Sequence, residues 1–253
     1  MHTTKEEELL SKRVIELANQ AYQQGICTYT SFLNLNEIAV FYKTITTVPS
    51  ISYELSGGYP EAERRVVCFY EDNSFPHVDF PIQSVLITPL QEKFGEELSH
   101  RDYLGAILNL GIKRAKIGDI LISGKHAYVF CFPEIAAFLC DSLSRIKNTP
   151  VKAAVTVFEE QEITIKKQVL TGTVASVRLD RLLAIAFQSS RSSLIGMIEG
   201  GKVFVNGKLI TSNGFVPKDG DLISVRGMGR FLYHGIDTKT KKDRYRVTIE
   251  KFI

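Results

Sequence analysis

The residues of this chain whose types and spacing could do chemistry are concentrated between Arg178 and Arg230, and most of them are cations. Arg178 and Arg181 stand three apart in RLDRLL, a spacing that places both on one solvated face of a helix. In SSRS, Ser190 reads as the N-cap of a second helix, so Arg191 falls in its first turn beside Ser192. Unpaired backbone N–H groups and the positive end of the helix dipole favour an anion there, and an adjacent guanidinium adds a bidentate phosphate ligand. Lys202, Asn206 and Lys208 follow in GKVFVNGK, and Arg226 and Arg230 in the glycine-spaced loop RGMGR. These ten residues are the candidate contacts to a polyanion. The G-x-G of the loop is not a nucleotide motif, because no helix follows it and the third glycine is missing.

No catalytic group competes with them. His2, His77, His100, His126 and His234 are scattered outside any nucleophile or metal motif. Cys27, Cys68, Cys131 and Cys140 are widely spread with no C-x-x-C pair, which argues against a zinc site or a disulfide framework and fits a reducing cytosol. The expectation is a protein with no cofactor, no metal and no small-molecule substrate.

The elements that must position these cations are short. Leu179, Leu182, Leu183 and Ala186 recur at helical spacing, and Leu194, Ile195 and Ile198 line the second helix, which Gly200-Gly201 stops. Asn206-Gly207 between apolar runs is a two-residue hairpin signal that predicts a type I′ turn with positive φ at Gly207. Asp221 to Val225 reads as a closing strand, and Asp180 as a residue that caps or orients. The pieces RLDRLL, SSRS, GGKVFVNGK and GDLISV, in this order over about 50 residues, resemble the S4-type RNA-binding domain. The resemblance implies two helices forming an L-shaped platform against folded RNA, with basic residues of both helices and of the hairpin on phosphates.

Charge agrees with that placement. Residues 172–253 carry 14 Lys and Arg against 7 Asp and Glu, whereas residues 1–171 carry 17 against 21, so the net charge of +3 hides a basic end. No signal peptide is apparent in the polar, charged N-terminus, and no apolar run reaches the ~18 residues expected of a membrane span. A cytoplasmic protein without a membrane partner is expected.

Upstream, Glu6 to Gln24 reads as an amphipathic helix with Leu9, Leu10, Val14, Leu17, Ala18 and Tyr22 on its apolar side and Gly25 as its stop. A helix at Asn36 to Lys43 and strands at Ile51 to Leu55 and Arg65 to Tyr70 complete a mixed α/β domain over 1–76. Within it, GGYPEAERR (Gly57 to Arg65) is either a functional loop or a tight turn followed by a solvated charged stretch. Over 77–165 the pattern β-α-β-β-α-β predicts a ferredoxin-like, RNA-recognition-like domain. Tyr128, Phe130 and Phe132 alternate on one face of it, either displayed for RNA or packed against the helices. Lys166 to Ser176 has little apolar periodicity and reads as a joint, with Val169 and Val174 able to continue a strand. The α+β fold is completed over 172–253 by the S4-type module, with strands at Phe231 to Gly235 and Arg244 to Phe252 flanking a lysine-rich turn.

GGYPEAERR, the run His100 to Ile122 and RGMGRF together resemble the YlmH family of bacterial S4-domain proteins. That resemblance implies a non-catalytic factor of ribosome-associated quality control, binding ribosomal RNA and tRNA on obstructed large ribosomal subunits and supporting elongation of a C-terminal tail. Two alternatives stay open. One is an RNA-modifying enzyme, a pseudouridine synthase or methyltransferase accessory, although no methyl-donor loop or pseudouridine-synthase aspartate motif is present. The other is a division-associated adaptor acting through its acidic N-terminal two-thirds.

Overall fold

The computed structural model describes residues 4–48, 51–71, 78–159, 167–240 and 243–252; His2, His77 and Lys166 lie outside them. The chain folds into two compact units, Met1–Thr164 and Ile165–Ile253.

The first unit opens with α1 (Lys5–Gln24), started by a capping box between Thr4 and Glu7 and ended by Gly25 at φ 60°. It buries Val14, Leu17, Ala18 and Ala21. Leu9 and Tyr22, expected on that stripe, are 59% and 58% exposed. At ~100° per residue they lie ~130° and ~90° from the centre of the buried stripe, so they fall off its edge. After β1 (Thr28–Tyr29), α2 (Leu35–Ile45) is capped by Asn34 and Glu37. β2 (Ser52–Ser56) and β3 (Val66–Tyr70) complete a sheet of order β1-β3-β2, on which Leu33, Phe41, Val67 and Phe69 close a core against α1.

The same unit then runs β4 (Gln83–Pro89), α3 (His100–Asn109), β5 (Ile117–Ser123), β6 (His126–Cys131), α4 (Pro133–Ser142), β7 (Arg145–Ile146) and β8 (Thr149–Thr156). The expected β-α-β-β-α-β order is present, with β7 as a short addition, in a sheet of order β5-β6-β4-β8-β7. Val85, Ile87, Val129, Ile107 and Leu139 are among the side chains closing the core between one sheet face and α3 and α4.

In the second unit, β9 (Lys167–Val174) leads into α5 (Leu179–Phe187) and α6 (Arg191–Glu199), followed by β10 (Val203–Val205), β11 (Lys208–Leu209), β12 (Leu222–Val225), β13 (Gly229–Lys239) and β14 (Tyr245–Phe252). All neighbours in the order β11-β10-β12-β13-β14-β9 are antiparallel. Leu179, Leu182, Leu183, Leu194 and Ile198 pack with Val203, Ile223, Phe231, Val247 and Ile249, so both helices cover one face. The segment read as a joint is strand from Lys167 onward. Register from Lys167↔Phe252 to Val174↔Tyr245 is continuous, and backbone pairing along a partner needs no side-chain periodicity, so Val169 can stay 64% exposed. Of the expected lysine-rich turn, Asp237 to Lys239 are strand, since β13 continues through Lys239; Lys241 and Lys242 lie outside the described residues.

Candidate nucleic-acid interface

Helix α5 buries Leu179, Leu182, Leu183 and Ala186, the four positions its periodicity selects. Gln188 ends it at φ 49°, and Ser190 caps α6 by accepting from the Ser193 N–H at 3.4 Å, with its Oγ 3.3 Å from that of Ser192. Between the two helices lies Asp180, whose side chain is fully buried. Its Oδ1 accepts from Arg178 Nε at 3.1 Å and its Oδ2 from Arg191 Nη2. Burial alone would raise this carboxyl, but the Arg191 hydrogen bond and the charges of Arg178 and Arg191 outweigh it and hold it below the ordinary value. An interior carboxylate must be paired, and here its two partners come from the start of each helix. Asp180 therefore orients the arginines, whose side chains remain 37% and 55% exposed.

Arg178 is thus not a helix-face partner of Arg181. It is the extended N-cap of α5 and turns to Asp180, while Arg181 Nη1 donates to the Ser176 carbonyl at 3.2 Å and to Ser176 Oγ at 2.7 Å. The structure brings Arg178, Arg181, Ser190, Arg191 and Ser192 to the helical side of the unit.

The hairpin divides its candidates. Asn206 (φ 49°) and Gly207 (φ 77°) form the turn, both left-handed as type I′ requires. Asn206 is consumed by it: Nδ2 donates to Asp221 Oδ1 at 2.8 Å and Oδ1 accepts from the Leu222 N–H at 2.9 Å. Its role is internal. Lys202 and Lys208 are exposed beside it. Phe204 lies between the core residues Val203 and Val205, so it points to the opposite sheet face. Arg226 stands 5.0 Å over its ring, and Arg230 stands 4.5 Å over Phe252. These two arginines belong with the aromatic rings of that opposite face, not with Arg181 and Arg191. Sequence missed Arg244, whose Nη2 donates to the Thr173 carbonyl at 2.8 Å; the charge density of KKDRYR was the available signal, but Arg244 was read as the first residue of a strand and not as an anion contact.

In the first unit, Tyr128, Phe130 and Phe132 point away from the helical core, yet all three are buried. Tyr59 covers Phe130 with ring centroids 4.9 Å apart, Phe158 packs on Tyr128 and Phe130, and Phe32 on Phe132. They are not displayed for RNA: other rings cover Tyr128 and Phe130, and Phe132, the N-cap of α4, shares a cluster with Phe32, Val66 and Ile135 of that helix. Tyr59 of that cover comes from GGYPEAERR, which is not a solvated stretch. Tyr59 Oη donates to Asp119 Oδ2 at 2.8 Å, and the Glu63 and Arg64 N–H groups donate to the same carboxylate at 2.7 and 3.3 Å. Arg64 donates to the carbonyls of Ile117 and Phe32 at 3.0 and 2.9 Å. Burial pushes the Asp119 carboxyl up, against these hydrogen bonds and the Arg114 and Arg64 charges. The segment joins two sheets.

The described cysteines are all free. Among the described residues, no helix is long and apolar enough to cross a membrane.

Three family models match the chain: "YlmH, N-terminal" over residues 6–73, "Putative RNA-binding domain in YlmH" over 76–160, and "S4 domain" over 177–223. The chain is 30% identical over 252 residues to the "Ribosome-associated protein quality control protein P2" of Bacillus subtilis (strain 168), covering 99% of this chain and 97% of that protein. It shares its fold with a solved structure, "Cell division protein ylmH from Streptococcus pneumoniae", at a TM-score of 0.53 and 21% identity, over 62% of this chain and 94% of that one. With its span matched end to end by that relative and its platform helices inside the S4 match, the chain belongs to the YlmH family of S4-domain proteins.

Proposed function

We propose that this chain is a non-catalytic, cytoplasmic RNA-binding factor that holds ribosomal RNA and tRNA on the large ribosomal subunit during ribosome-associated quality control, where it supports C-terminal tailing of stalled nascent chains. An RNA-binding role follows from the S4 domain and its YlmH context. The observation that carries the rest is the buried Asp180 aiming Arg178 and Arg191 outward beside Arg181: pre-oriented guanidinium groups on two adjoining helices fit a phosphate track. The name of the B. subtilis relative supplies the ribosomal setting. We assign the platform to Arg178, Arg181, Ser190, Arg191 and Ser192, with Lys202 and Lys208 extending it. The organisation that serves this function is a 1–76 domain, a 77–165 domain and the 172–253 module.

Sedimentation tests the reading. The purified protein is expected to co-migrate with large subunits, to be released by nuclease, and to leave them at moderate salt when Arg181 and Arg191 are both alanine. Co-migration that survives nuclease would point to a protein contact instead. Stoichiometric modification of total RNA in the presence of a labelled methyl donor, or new pseudouridine, would replace the non-catalytic reading with an enzymatic one.

A further inference from the structure

The arginines of the platform share a cleft with one that the S4 match does not include. The depression, of about 360 Å³, is lined by Arg181, Ala184 and Ile185 of α5, Arg191 at the start of α6, Val174 at the end of β9, and Arg244 at the entry to β14. Strands β9 and β14 both fall outside residues 177–223. Each guanidinium is anchored from behind: Arg181 on Ser176, Arg191 on Asp180 and Arg244 on the Thr173 carbonyl. Among the described residues these are the bonds they make, so each has further N–H groups to offer. No carboxylate lines the cleft. Asp180 offsets the charge of Arg191 from behind, whereas Arg181 and Arg244 are anchored on neutral acceptors, and an entering anion answers those two charges.

The floor is apolar. Ile185 reaches over Gly172, where a Cβ would stand 2.5 Å from its Cδ1, and Val174 and Ala184 continue the surface. Apolar floor and cationic rim together match the two halves of a nucleotide, and the volume lies within the ~300–1,000 Å³ of small-ligand pockets. Thr173 is the sole uncharged polar side chain in the lining, so base edges find almost nothing that could read them.

Resting on the RNA-binding reading above, we propose that this cleft takes one unpaired nucleotide of the bound RNA, its phosphate held among Arg181, Arg191 and Arg244 and its base on Ile185 and Ala184, without sequence preference. Arg244 is the residue that separates this site from the platform. A site that holds the phosphate by charge and the base by apolar contact alone is sequence-tolerant, because it presents no hydrogen-bonding pattern to the base edge.

The test compares full-length protein on a paired RNA hairpin and on the same hairpin with one bulged nucleotide, varied among the four bases. Wild type is expected to bind the bulged RNA about tenfold more tightly, whichever base bulges. Arg244→Ala should erase that preference and lower the salt slope on the bulged RNA by about 0.7, leaving the paired RNA within about twofold. Ala184→Met, which fills the floor and keeps every charge, should erase the preference with the slope unchanged. Equal affinity of wild type for both hairpins, or an Arg244→Ala variant that keeps the preference, overturns the proposal while leaving RNA binding in place. Failure to bind either hairpin overturns the RNA-binding reading itself. Displacement of the bulged hairpin by free adenosine monophosphate at sub-millimolar concentration overturns the proposal in favour of a free-nucleotide site.

Discussion

Replacing Asp180 by asparagine keeps the shape at the crossing of α5 and α6 and removes the charge that aims Arg178 and Arg191. Hydrogen bonds to charged groups contribute about 1.5–3 kcal/mol each, but both arginines are partly exposed, 37% and 55%, so water recovers much of that loss. Asparagine also avoids the several kcal/mol of burying an ionised carboxylate. The net expected destabilisation is about 1–2 kcal/mol, which for a unit spanning Ile165–Ile253 lowers Tm by roughly 4–12 °C. Binding should suffer differently. Two released guanidinium side chains must be reordered at about 0.5–1.5 kcal/mol each, so affinity for RNA is expected to fall roughly 5- to 150-fold. No cation is lost, so the slope of log K against log[salt] should stay as in wild type, whereas Arg191→Ala should lower its magnitude by about 0.7–0.9. Fluorescence anisotropy at four salt concentrations, beside thermal melts, separates the two. A lower Tm with unchanged affinity would make Asp180 a purely structural residue; a reduced slope would show that the arginines had left the phosphates altogether. The pH dependence has a fixed sign. The folded Asp180 carboxyl lies below its unfolded value of about 4, so its contribution is present above that value and is lost as pH falls through the folded one. The stability gap between wild type and Asp180→Asn should therefore narrow below about pH 4.

The double variant Arg181→Ala with Arg191→Ala should lower the salt-slope magnitude by about 1.4–1.8, with little dependence on RNA sequence; wild-type slope would place RNA on another surface. Arg191→Ala alone should also cost stability, about 1–2 kcal/mol, because buried Asp180 retains only Arg178, and a melt identical to wild type would refute that. Gly207→Val places a β-branched residue at φ 77° and should destabilise the hairpin by roughly 1–3 kcal/mol; loss of RNA binding without a change in melting temperature would show the turn to be functional instead. Gly58→Ala puts a Cβ 2.5 Å from Phe130 Cδ1 at φ +94° and should cost roughly 2–4 kcal/mol. Urea unfolding followed by tyrosine fluorescence, the chain having no tryptophan, checks it, and a change below about 0.5 kcal/mol would mean that Tyr59 does not hold its cover on the sheet.

The features legible in the linear chain are those whose physics is local. A 3.6-residue period marked the buried stripe of α5, an N-cap serine the start of α6, and the steric demand of a two-residue turn put Asn206 and Gly207 at positive φ. The clustering of positive charge toward one end was visible before any fold. Periodicity proved weaker where a helix has an ambiguous edge, and Leu9 and Tyr22 fell outside the stripe that Val14 and Leu17 define. Which polar side chains would be spent internally was decided by residues far apart in sequence. Tyr59 meets Asp119 across 60 positions and Arg244 meets Thr173 across 71. Asp180 and Arg191 are 11 apart and meet because two helices cross. Desolvation sets these roles: a carboxylate or an aromatic ring becomes a partner, a cover or a free contact according to which chain segments exclude water from it, and that depends on strand order and helix packing rather than on neighbours in the chain. So the sequence alone determined that this protein presents a basic S4 platform, while the tertiary structure alone decided that Asn206 turns inward, that Phe130 is sealed, and that Arg244 joins Arg181 and Arg191 around one cleft.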